Sequence, residues 1–264
     1  MKRPAFILTI LVSACTVTKQ TAPAPQNTIV VDGKIFTTVF QQRAAEYRAL
    51  CYQAYNIAFL QLDKALTVEP HKPRAIVTDI DETVLDNSVY AANRALQGKD
   101  YDAASWIEYT GMGIADTIPG AFNFLRYASS QGVEIFYITN REEKERAGTL
   151  KNLQKFGFPN ADEAHLLTKQ GTSGKEARRQ TVAATHDIVL LLGDNLSDFS
   201  FLFDKKNVED RFASTNGVAA VFGNKFIVLP NPVYGDWESA LYQYNYTLSP
   251  AQKDSVLKSW LKSY

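Results

Sequence analysis

The sequence predicts an α/β fold in which a mostly parallel sheet is flanked by helices and joined to a smaller, mainly helical cap or side domain. From residue 75 onward, short apolar runs alternate with stretches of helical character, which is typical of parallel sheets with helices on both faces. Residues 87–132 separate the first two runs, and this segment is longer than a single crossover connection between two strands requires. The 264 residues, 45% of them apolar, are enough to bury a core.

Residues 1–14 have the pattern of an export signal peptide. Lys2 and Arg3 supply positive charge, residues 5–12 form an apolar run too short to span a membrane, and small residues precede Cys15. Residues 12–15, Val-Ser-Ala-Cys, resemble the bacterial lipobox, which implies cleavage before Cys15 and attachment of lipid to its sulfur. An ordinary cleaved signal that contains a cysteine is the alternative.

Residues 15–34 are expected to be the lipidated Cys15 and a flexible tether, because this stretch has little apolar surface to bury. A long amphipathic helix is predicted over 36–66. Its apolar stripe has helical spacing and consists of Phe40, Ala44, Tyr47, Cys51, Ala54, Ala58 and Leu62. Cys51 is therefore expected to be a buried core residue, and no structural disulfide is expected.

The folded domain is expected to span 35–264. Its core should comprise about 70–86 and 130–235, while 36–66, 87–130 and the C-terminal helices form the cap or side domain. Strands are predicted at 75–78, 133–138, 165–167, 188–192, 217–222 and 225–229. Helices within 87–132 are indicated by Asn87, Asp102 and Pro119.

Polar groups with a common chemistry follow several predicted strands. Asp79 and Asp81 follow the strand predicted at 75–78, and Thr139 and Asn140 follow the strand at 133–138. Asp194 and Asp198 follow the strand at 188–192, and Lys175 precedes that strand. Because ligands of parallel sheets bind beyond the carboxyl ends of strands, these groups should meet in one crevice. Four carboxylates there would repel one another unless a cation such as Mg²⁺ lay among them. Any one of these acids alone would be a solvated loop residue.

Some functions are disfavoured by composition and spacing. The 28 basic and 28 acidic residues give a formal charge of zero, so binding of a nucleic-acid polymer is not expected. Gly174-Lys175 is not a phosphate-binding P-loop, because Lys169 and Glu176 occupy positions where that motif needs glycine and a hydroxyl residue. The three histidines lack metal-ligand spacing.

Residues 79–87, Asp-Ile-Asp-Glu-Thr-Val-Leu-Asp-Asn, and residues 193–199, Gly-Asp-Asn-Leu-Ser-Asp-Phe, resemble the paired signatures of class C acid phosphatases. These enzymes belong to the haloacid dehalogenase (HAD) superfamily and include outer-membrane lipoproteins. The similarity covers essentially the whole mature chain. Thr78 departs from the family pattern, since the family usually has an apolar residue at this position. The resemblance implies a HAD-like Rossmannoid sheet.

The resemblance also implies roles for individual residues. Asp79 would be the nucleophile that forms an aspartyl-phosphate, and Asp81 the general acid and base, which must start protonated and so favours work at acid pH. The Asp79 carboxylate, the Asp81 backbone carbonyl and Asp194 would hold Mg²⁺. The remaining groups follow the same pattern: Asp198 would orient the metal's waters or Lys175, and the phosphoryl oxygens would be bound by Thr139, Asn140 and Lys175.

The implied substrates are small phosphomonoesters, with nucleoside monophosphates preferred and nicotinamide mononucleotide among them. By motif spacing, Trp106 and Tyr234 resemble the aromatic pair that clamps the substrate ring. Tyr90, Tyr109 and Trp237 are as well explained by packing. The implied location is the bacterial outer membrane, because Thr16 rather than Asp follows Cys15.

Two other classes of function remain open. A receiver-type signalling domain also uses Asp, Thr, Lys and Mg²⁺, although export would separate it from cytoplasmic kinases. A surface-binding lipoprotein that kept the fold without activity is the second, since fold alone does not define function. The oligomeric state is open, with a homodimer as one candidate.

Overall fold

A computed structural model describes residues 28–264. The predicted signal peptide and Cys15 lie outside the described residues. The helices are α1 (Ile29–Arg43), α2 (Ala45–Leu66), α3 (Ser88–Leu96), α4 (Ala103–Met112), α5 (Ala121–Ser130), α6 (Arg146–Phe156), α7 (Glu176–Thr185), α8 (Val208–Gly217), α9 (Asp236–Leu241) and α10 (Pro250–Trp260). The strands are β1 (Arg74–Thr78), β2 (Leu85–Asp86), β3 (Asp116–Thr117), β4 (Glu134–Ile138), β5 (Leu166–Leu167), β6 (Asp187–Gly193) and β7 (Phe226–Val228).

The main sheet has five parallel strands in the order β5-β4-β1-β6-β7. β1 lies at its centre, where Val77 is in register with Phe136 of β4 and Leu191 of β6. Buried apolar side chains cover both faces of β1, as the near-continuous run of apolar residues in this strand requires. The predicted α/β fold with a parallel sheet is confirmed.

The region between β1 and β4 adds a second unit of structure. β2 and β3 pair antiparallel, with Leu85 opposite Thr117. Helix α4 begins at the predicted cap Asp102, whose side chain accepts a hydrogen bond from the backbone of Ser105. Helix α4 approaches α6 closely at Gly148, where a Cβ atom would lie 2.5 Å from the carbonyl oxygen of Thr110. A larger residue at 148 would therefore separate the two helices.

The N-terminal helical region differs from the prediction in two ways. Helix α1 begins at Ile29, so residues 29–34 are helical where a tether was expected. The predicted single helix over 36–66 is broken at Ala44, which adopts an extended conformation with ψ 128°. The break lets α1 pack against α3 and α10 while α2 packs against α5 and the sheet. Because tertiary packing imposes this break, no glycine or proline marks it in the sequence.

The predicted apolar stripe is buried along α2. Tyr47, Ala58 and Leu62 contribute to the main core, and Cys51 is a free thiol with 0% exposure. The stripe does not continue into α1, where Phe40 is 37% exposed because the helix has changed direction. The prediction that Cys51 is a buried core residue is confirmed.

The predicted strand at 217–222 is wrong. Gly217 ends α8, and a 3-10 turn follows at Ala219–Val221. This run contains small residues with little β-branching, so its apolar character did not distinguish strand from helix. The partner run 225–229 does contain a strand, β7. Within residues 28–264, no helix combines the length and apolar composition needed to cross a membrane.

Candidate active site

The carboxyl ends of β1, β4 and β6 open into a cavity of about 720 Å³. Asp79 follows β1 directly, and Asp194 follows the neighbouring β6, so their side chains meet at one edge of the sheet. The predicted site residues that line this cavity are Asp79, Asp81, Trp106, Asn140, Lys175, Asp194, Asp198 and Tyr234. The structure thus brings together groups separated by up to 155 positions in the chain.

Three acids and one lysine form the centre of the site. Asp79, Asp194 and Asp198 each place a carboxylate oxygen within 4.8 Å of the others. Lys175, just before α7, donates a hydrogen bond to Asp79 and lies 2.7 Å from Oδ1 of Asp198. Gly193 makes room for this arrangement, because a Cβ atom there would lie 2.5 Å from the Asp198 side chain. A residue larger than glycine would push Asp198 away from Lys175.

Asp194 is held by two residues without a predicted role. Thr83 donates a hydrogen bond to Oδ1 at 3.2 Å, and the amide of Asn231 donates to Oδ2 at 2.8 Å. Burial and the nearby carboxylates of Asp198 and Asp79 raise the pKa of Asp194 well above its usual value. The carboxylate is therefore fixed in place but costly to ionise without a nearby cation.

The pKa of Asp79 is also raised, chiefly by burial, with Lys175 opposing the shift and Asp198 adding to it. Lys175 thus pairs with the two buried acids, Asp79 and Asp198, while the half-buried Asp194 adds a third carboxylate beside them. Oxygen donors at this spacing suit a hard divalent cation, which would offset the remaining negative charge. The residues present therefore fit a divalent metal ion.

Asp81 lines the same cavity but its carboxylate is held separately from the other three. Arg141 donates from Nη2 to Oδ1 at 2.7 Å, and its Nε lies 3.1 Å from the same oxygen. The amide of Asn87 also donates to Oδ1, at 2.9 Å. Arg141 is buried and is fixed in turn by the hydroxyl of Thr149, at 3.1 Å. Asp81 is therefore oriented by two donors, neither of which was assigned a role from the sequence.

The residues after β4 differ in their access to the cavity. Asn140 lines it, and its Oδ1 accepts a hydrogen bond of 2.7 Å from Arg178. Thr139 is fully buried, and its hydroxyl oxygen accepts a hydrogen bond from the backbone of Arg141 at 3.1 Å. Within the described chain, Thr139 is not among the lining residues. Its predicted phosphate contact stays a prediction.

Several aromatic side chains line the cavity. Trp106 packs edge-on against Tyr90, with ring centroids 5.0 Å apart, and the guanidinium of Arg141 lies 5.7 Å from the Trp106 centroid. Tyr234 lines the cavity as well, and its hydroxyl donates to the carboxylate of Glu82. Tyr90 therefore contributes to this lining, although packing alone was an equally good explanation for it.

Part of the rim comes from the two ends of the described chain. Lys34 of α1 and Lys253 of α10 both line the cavity. Both are ion-paired with Asp100, at 2.5 and 3.4 Å. These residues carry no motif and lie far from the signature segments, so the sequence offered no signal that would have placed them here.

A parallel sheet with acids and a lysine beyond its carboxyl edge is the arrangement of HAD-type phosphotransfer proteins, and comparison with known proteins agrees. The family model described as HAD superfamily, subfamily IIIB (acid phosphatase) matches residues 9–237. The chain belongs to this family. Solved structures confirm the resemblance to class C acid phosphatases.

The structure of the class C acid phosphatase from Bacillus anthracis superposes with a TM-score of 0.86 and 46% sequence identity, covering 89% of this chain and 99% of that one. The same enzyme with tungstate bound gives equal values, with 98% of that chain covered. Both the fold and the family are therefore well matched over nearly the whole described region.

Two curated plant proteins are more distant. The stem 31 kDa glycoprotein of Glycine max is 26% identical over 172 residues, which is 63% of this chain and 61% of that protein. Acid phosphatase 1 of Solanum lycopersicum is 27% identical over 131 residues, 46% of this chain and 50% of that protein. The chain thus spans between half and two thirds of the length of these relatives.

Proposed function

We propose that this protein is a Mg²⁺-dependent acid phosphatase that hydrolyses phosphomonoesters at Asp79. The observation that carries the proposal is the imbalance of charge in a cluster of three carboxylates, two of them buried, beside the single lysine Lys175. Such an arrangement is costly for a folded protein and suits a site that receives cations and phosphoryl oxygens. Membership of an acid phosphatase family supports the same conclusion.

In the proposed reaction, a carboxylate oxygen of Asp79 attacks phosphorus and the bond to the ester oxygen breaks. Asp81 transfers its proton to the departing ester oxygen, which leaves as an alcohol. Asp81 then removes a proton from water as the water attacks the aspartyl-phosphate, which releases phosphate and restores Asp79. Arg141 and Asn87 both donate to Oδ1 and so hold the Asp81 side chain in one orientation, which assigns the transferred proton to Oδ2.

The metal would be held by the Asp79 and Asp194 carboxylates and the Asp81 backbone carbonyl. Mg²⁺ would supply positive charge that stabilises the phosphoryl oxygens. Both oxygens of Asp198 already have partners, Lys175 and the backbone of Asn195, so its proposed role is to orient Lys175 rather than to bind metal directly. Lys175 would then face the same phosphoryl oxygens, as Asn140 would from the cavity wall.

The proposed substrates are nucleoside monophosphates and related ring-bearing esters such as nicotinamide mononucleotide. A cavity of about 720 Å³ is larger than a phosphate group requires. Trp106 and Tyr234 on its walls offer aromatic surface on which a substrate ring could stack. The Bacillus anthracis enzyme binds tungstate, an oxyanion, which supports oxyanion binding in the corresponding fold.

A direct test uses a protein that begins after the signal peptide, p-nitrophenyl phosphate and adenosine 5′-monophosphate. Phosphate release from both is expected at acid pH, lost in EDTA and restored by Mg²⁺. Thermal unfolding with and without Mg²⁺ provides a second measurement, because an ion bound only by the native state raises its stability. Absence of Mg²⁺-dependent release would instead favour the surface-binding protein, and phosphorylation that persists without turnover would favour the receiver domain.

We also propose export, lipid attachment at Cys15 and an outer-membrane location. The support is the lipobox-like sequence at 12–15. Replacement of Cys15 by alanine should move the protein from the membrane fraction to the soluble fraction and abolish incorporation of labelled palmitate. An unchanged distribution with no label in the unmodified protein would indicate an ordinary cleaved signal.

A further inference from the structure

Glu82 occupies an unusual position beside the proposed acid and base. It is 1% exposed and has a φ of +57°, in the left-handed region that glycine usually occupies. Its backbone N–H donates to the carbonyl of Leu85 at 2.8 Å, which holds this conformation. A non-glycine residue persists in such a conformation only when its surroundings require it. The conformation therefore makes Glu82 a candidate for a functional role.

The Glu82 carboxylate joins two distant parts of the chain. Its Oε1 accepts a hydrogen bond from the backbone N–H of Asn87 at 2.8 Å. Its Oε2 accepts from the hydroxyl of Tyr234, which is 152 positions away. Both carboxylate oxygens thus have a partner, one in the loop after β1 and one in the aromatic lining of the cavity.

Asn87 extends this connection to Asp81. Its side-chain amide lies 3.3 Å from Oε2 of Glu82 and donates to Oδ1 of Asp81 at 2.9 Å. The result is a continuous series of hydrogen-bonded side chains: Tyr234, Glu82, Asn87 and Asp81. Neither the proposed chemistry nor the metal site uses Glu82.

We propose that Glu82 is a positioning residue that fixes the aromatic lining at Tyr234 relative to the proton donor Asp81. This inference rests on the proposed function. A substrate ring placed against Tyr234 would then present its ester oxygen to Asp81 at a set distance. Loss of Glu82 frees Tyr234 and Asn87 to move, and proton transfer to the ester oxygen becomes less efficient because it depends on orientation.

The test compares p-nitrophenyl phosphate with benzyl phosphate. Both carry one aromatic ring, but p-nitrophenolate leaves without help from an acid, whereas benzyl alcohol needs the proton from Asp81. The value of kcat/KM is measured for both, since it reports the first phosphoryl transfer. In Glu82→Ala, kcat/KM should fall about ten- to hundredfold for benzyl phosphate and less than about threefold for p-nitrophenyl phosphate. Equal losses on both substrates would overturn the inference.

A matched control is Glu145→Ala, because Glu145 is the other buried glutamate in the described region and contacts Thr110 and the backbone of Glu142 instead. Its kcat/KM ratio for the two substrates should equal that of the unmodified protein. A shifted ratio would mean that loss of any buried glutamate produces the effect, and would contradict the proposal. Failure of the unmodified protein to hydrolyse either ester would refute the proposed function instead.

A second variant covers the case in which Glu82→Ala does not fold. Tyr234→Phe keeps the ring but removes the hydroxyl that donates to Glu82. It should show the same selective loss on benzyl phosphate. Where Glu82→Ala does fold, the double variant should lose no more than about twofold beyond it, because both changes interrupt one connection. An unchanged substrate ratio in Tyr234→Phe, or fully multiplicative losses, would overturn the proposal.

Discussion

The two edges of the main sheet contain similar charged residues in different surroundings. At the carboxyl edge, Asp79, Asp194 and Asp198 gather around Lys175 in a buried cluster. At the amino edge, Glu134 at the start of β4 lies between two histidines and remains 42% exposed at its side chain. The first group contains three carboxylates beside one lysine, whereas in the second Glu134 contacts two histidines and is more exposed.

The amino-edge cluster satisfies its own polar groups. His165 contacts Oδ1 of Asp162 at 2.7 Å and Oε2 of Glu134 at 3.2 Å. Nε2 of His186 lies 3.4 Å from Oε1 of Glu134. The ring of Phe136 packs against both histidines, with centroid distances of 4.9 and 5.0 Å. The polar side chains of this cluster therefore have partners within it.

Residue type alone does not distinguish the two edges. Both edges contain acids and bases, but only at the carboxyl edge do burial and like charge together raise the pKa of acids such as Asp79 and Asp194. Parallel strands also direct their ligand-binding loops to that edge. The carboxyl edge therefore contains the proposed active site, and the amino edge does not.

The largest effect is expected from Asp79→Asn. Loss of the proposed nucleophile should reduce turnover by about 10⁴-fold or more, because the covalent step has no substitute. Thermal stability should be retained, since one of the mutually repelling acids is removed. The amino-edge variant Glu134→Gln should keep full turnover. Near-normal activity of Asp79→Asn would contradict the assignment of the nucleophile.

Lys175→Met should lower the free energy of unfolding by about 3 kcal/mol in EDTA at pH 7, because the buried carboxylates lose their cation. The loss should become smaller as pH falls. The folded-state pKa values of Asp79 and Asp194 are raised, so these acids take up protons in the native state at a higher pH than in the unfolded chain, and their uncompensated charge disappears. Urea unfolding at pH 5 and 7 measures both effects. The control Lys225→Met, at an exposed lysine just before β7 on the amino edge, should change stability by less than about 0.5 kcal/mol. An equal loss there would remove the distinction between the edges.

Trp106→Ala tests whether the cavity beside the carboxyl edge selects ring-bearing substrates. The loss in kcat/KM for adenosine 5′-monophosphate should correspond to about 1–3 kcal/mol of activation free energy, which is the stabilisation that stacking of one base provides. A small aliphatic phosphate should be much less affected. Trp260→Ala in α10 is the matched control, and both substrates should be unaffected by it. Equal losses on the two substrates in Trp106→Ala would refute the ring clamp.

The smallest effect concerns the amino edge and depends on pH. The carboxylates of Asp162 and Glu134 raise the pKa of His165, although burial opposes this. Its contribution to stability is therefore fully present below its unfolded pKa of about 6.5 and is lost as pH rises through the folded value. Glu134→Gln should cost about 0.5 kcal/mol at pH 5 and almost nothing at pH 8, as measured by urea unfolding. The same loss at both pH values would exclude a charged His165.

Much of the fold could be predicted because its signals are local. The apolar run of β1 and the acids that follow it are adjacent in sequence, so the strand and its functional end are recognised together. The break at Ala44 has no local signal, because it comes from α1 packing against α3 while α2 packs against the sheet. The apolar run 217–222 was misassigned because alanine-rich segments suit a helical turn as well as a strand.

The site was predicted in part for the same reason. The motif acids and Lys175 are recognisable from short segments, and the cavity contains them. The donors that orient Asp81 and Asp194 were missed. Arg141 lies 60 positions from Asp81 and Asn231 lies 37 from Asp194, so each pairing exists only in the folded chain. Buried partners of catalytic groups follow from tertiary structure, which composition and spacing do not reveal.

The first and last described helices meet at the mouth of the cavity. The backbone N–H of Ile29 donates to Asp254 at 3.0 Å, and Lys34 and Lys253 share Asp100 as a partner. The motif residues are all synthesised before α10 exists. A nascent chain can therefore carry all of the motif carboxylates while this part of the cavity lining is unfinished, and the described pocket is complete only after α10 has docked.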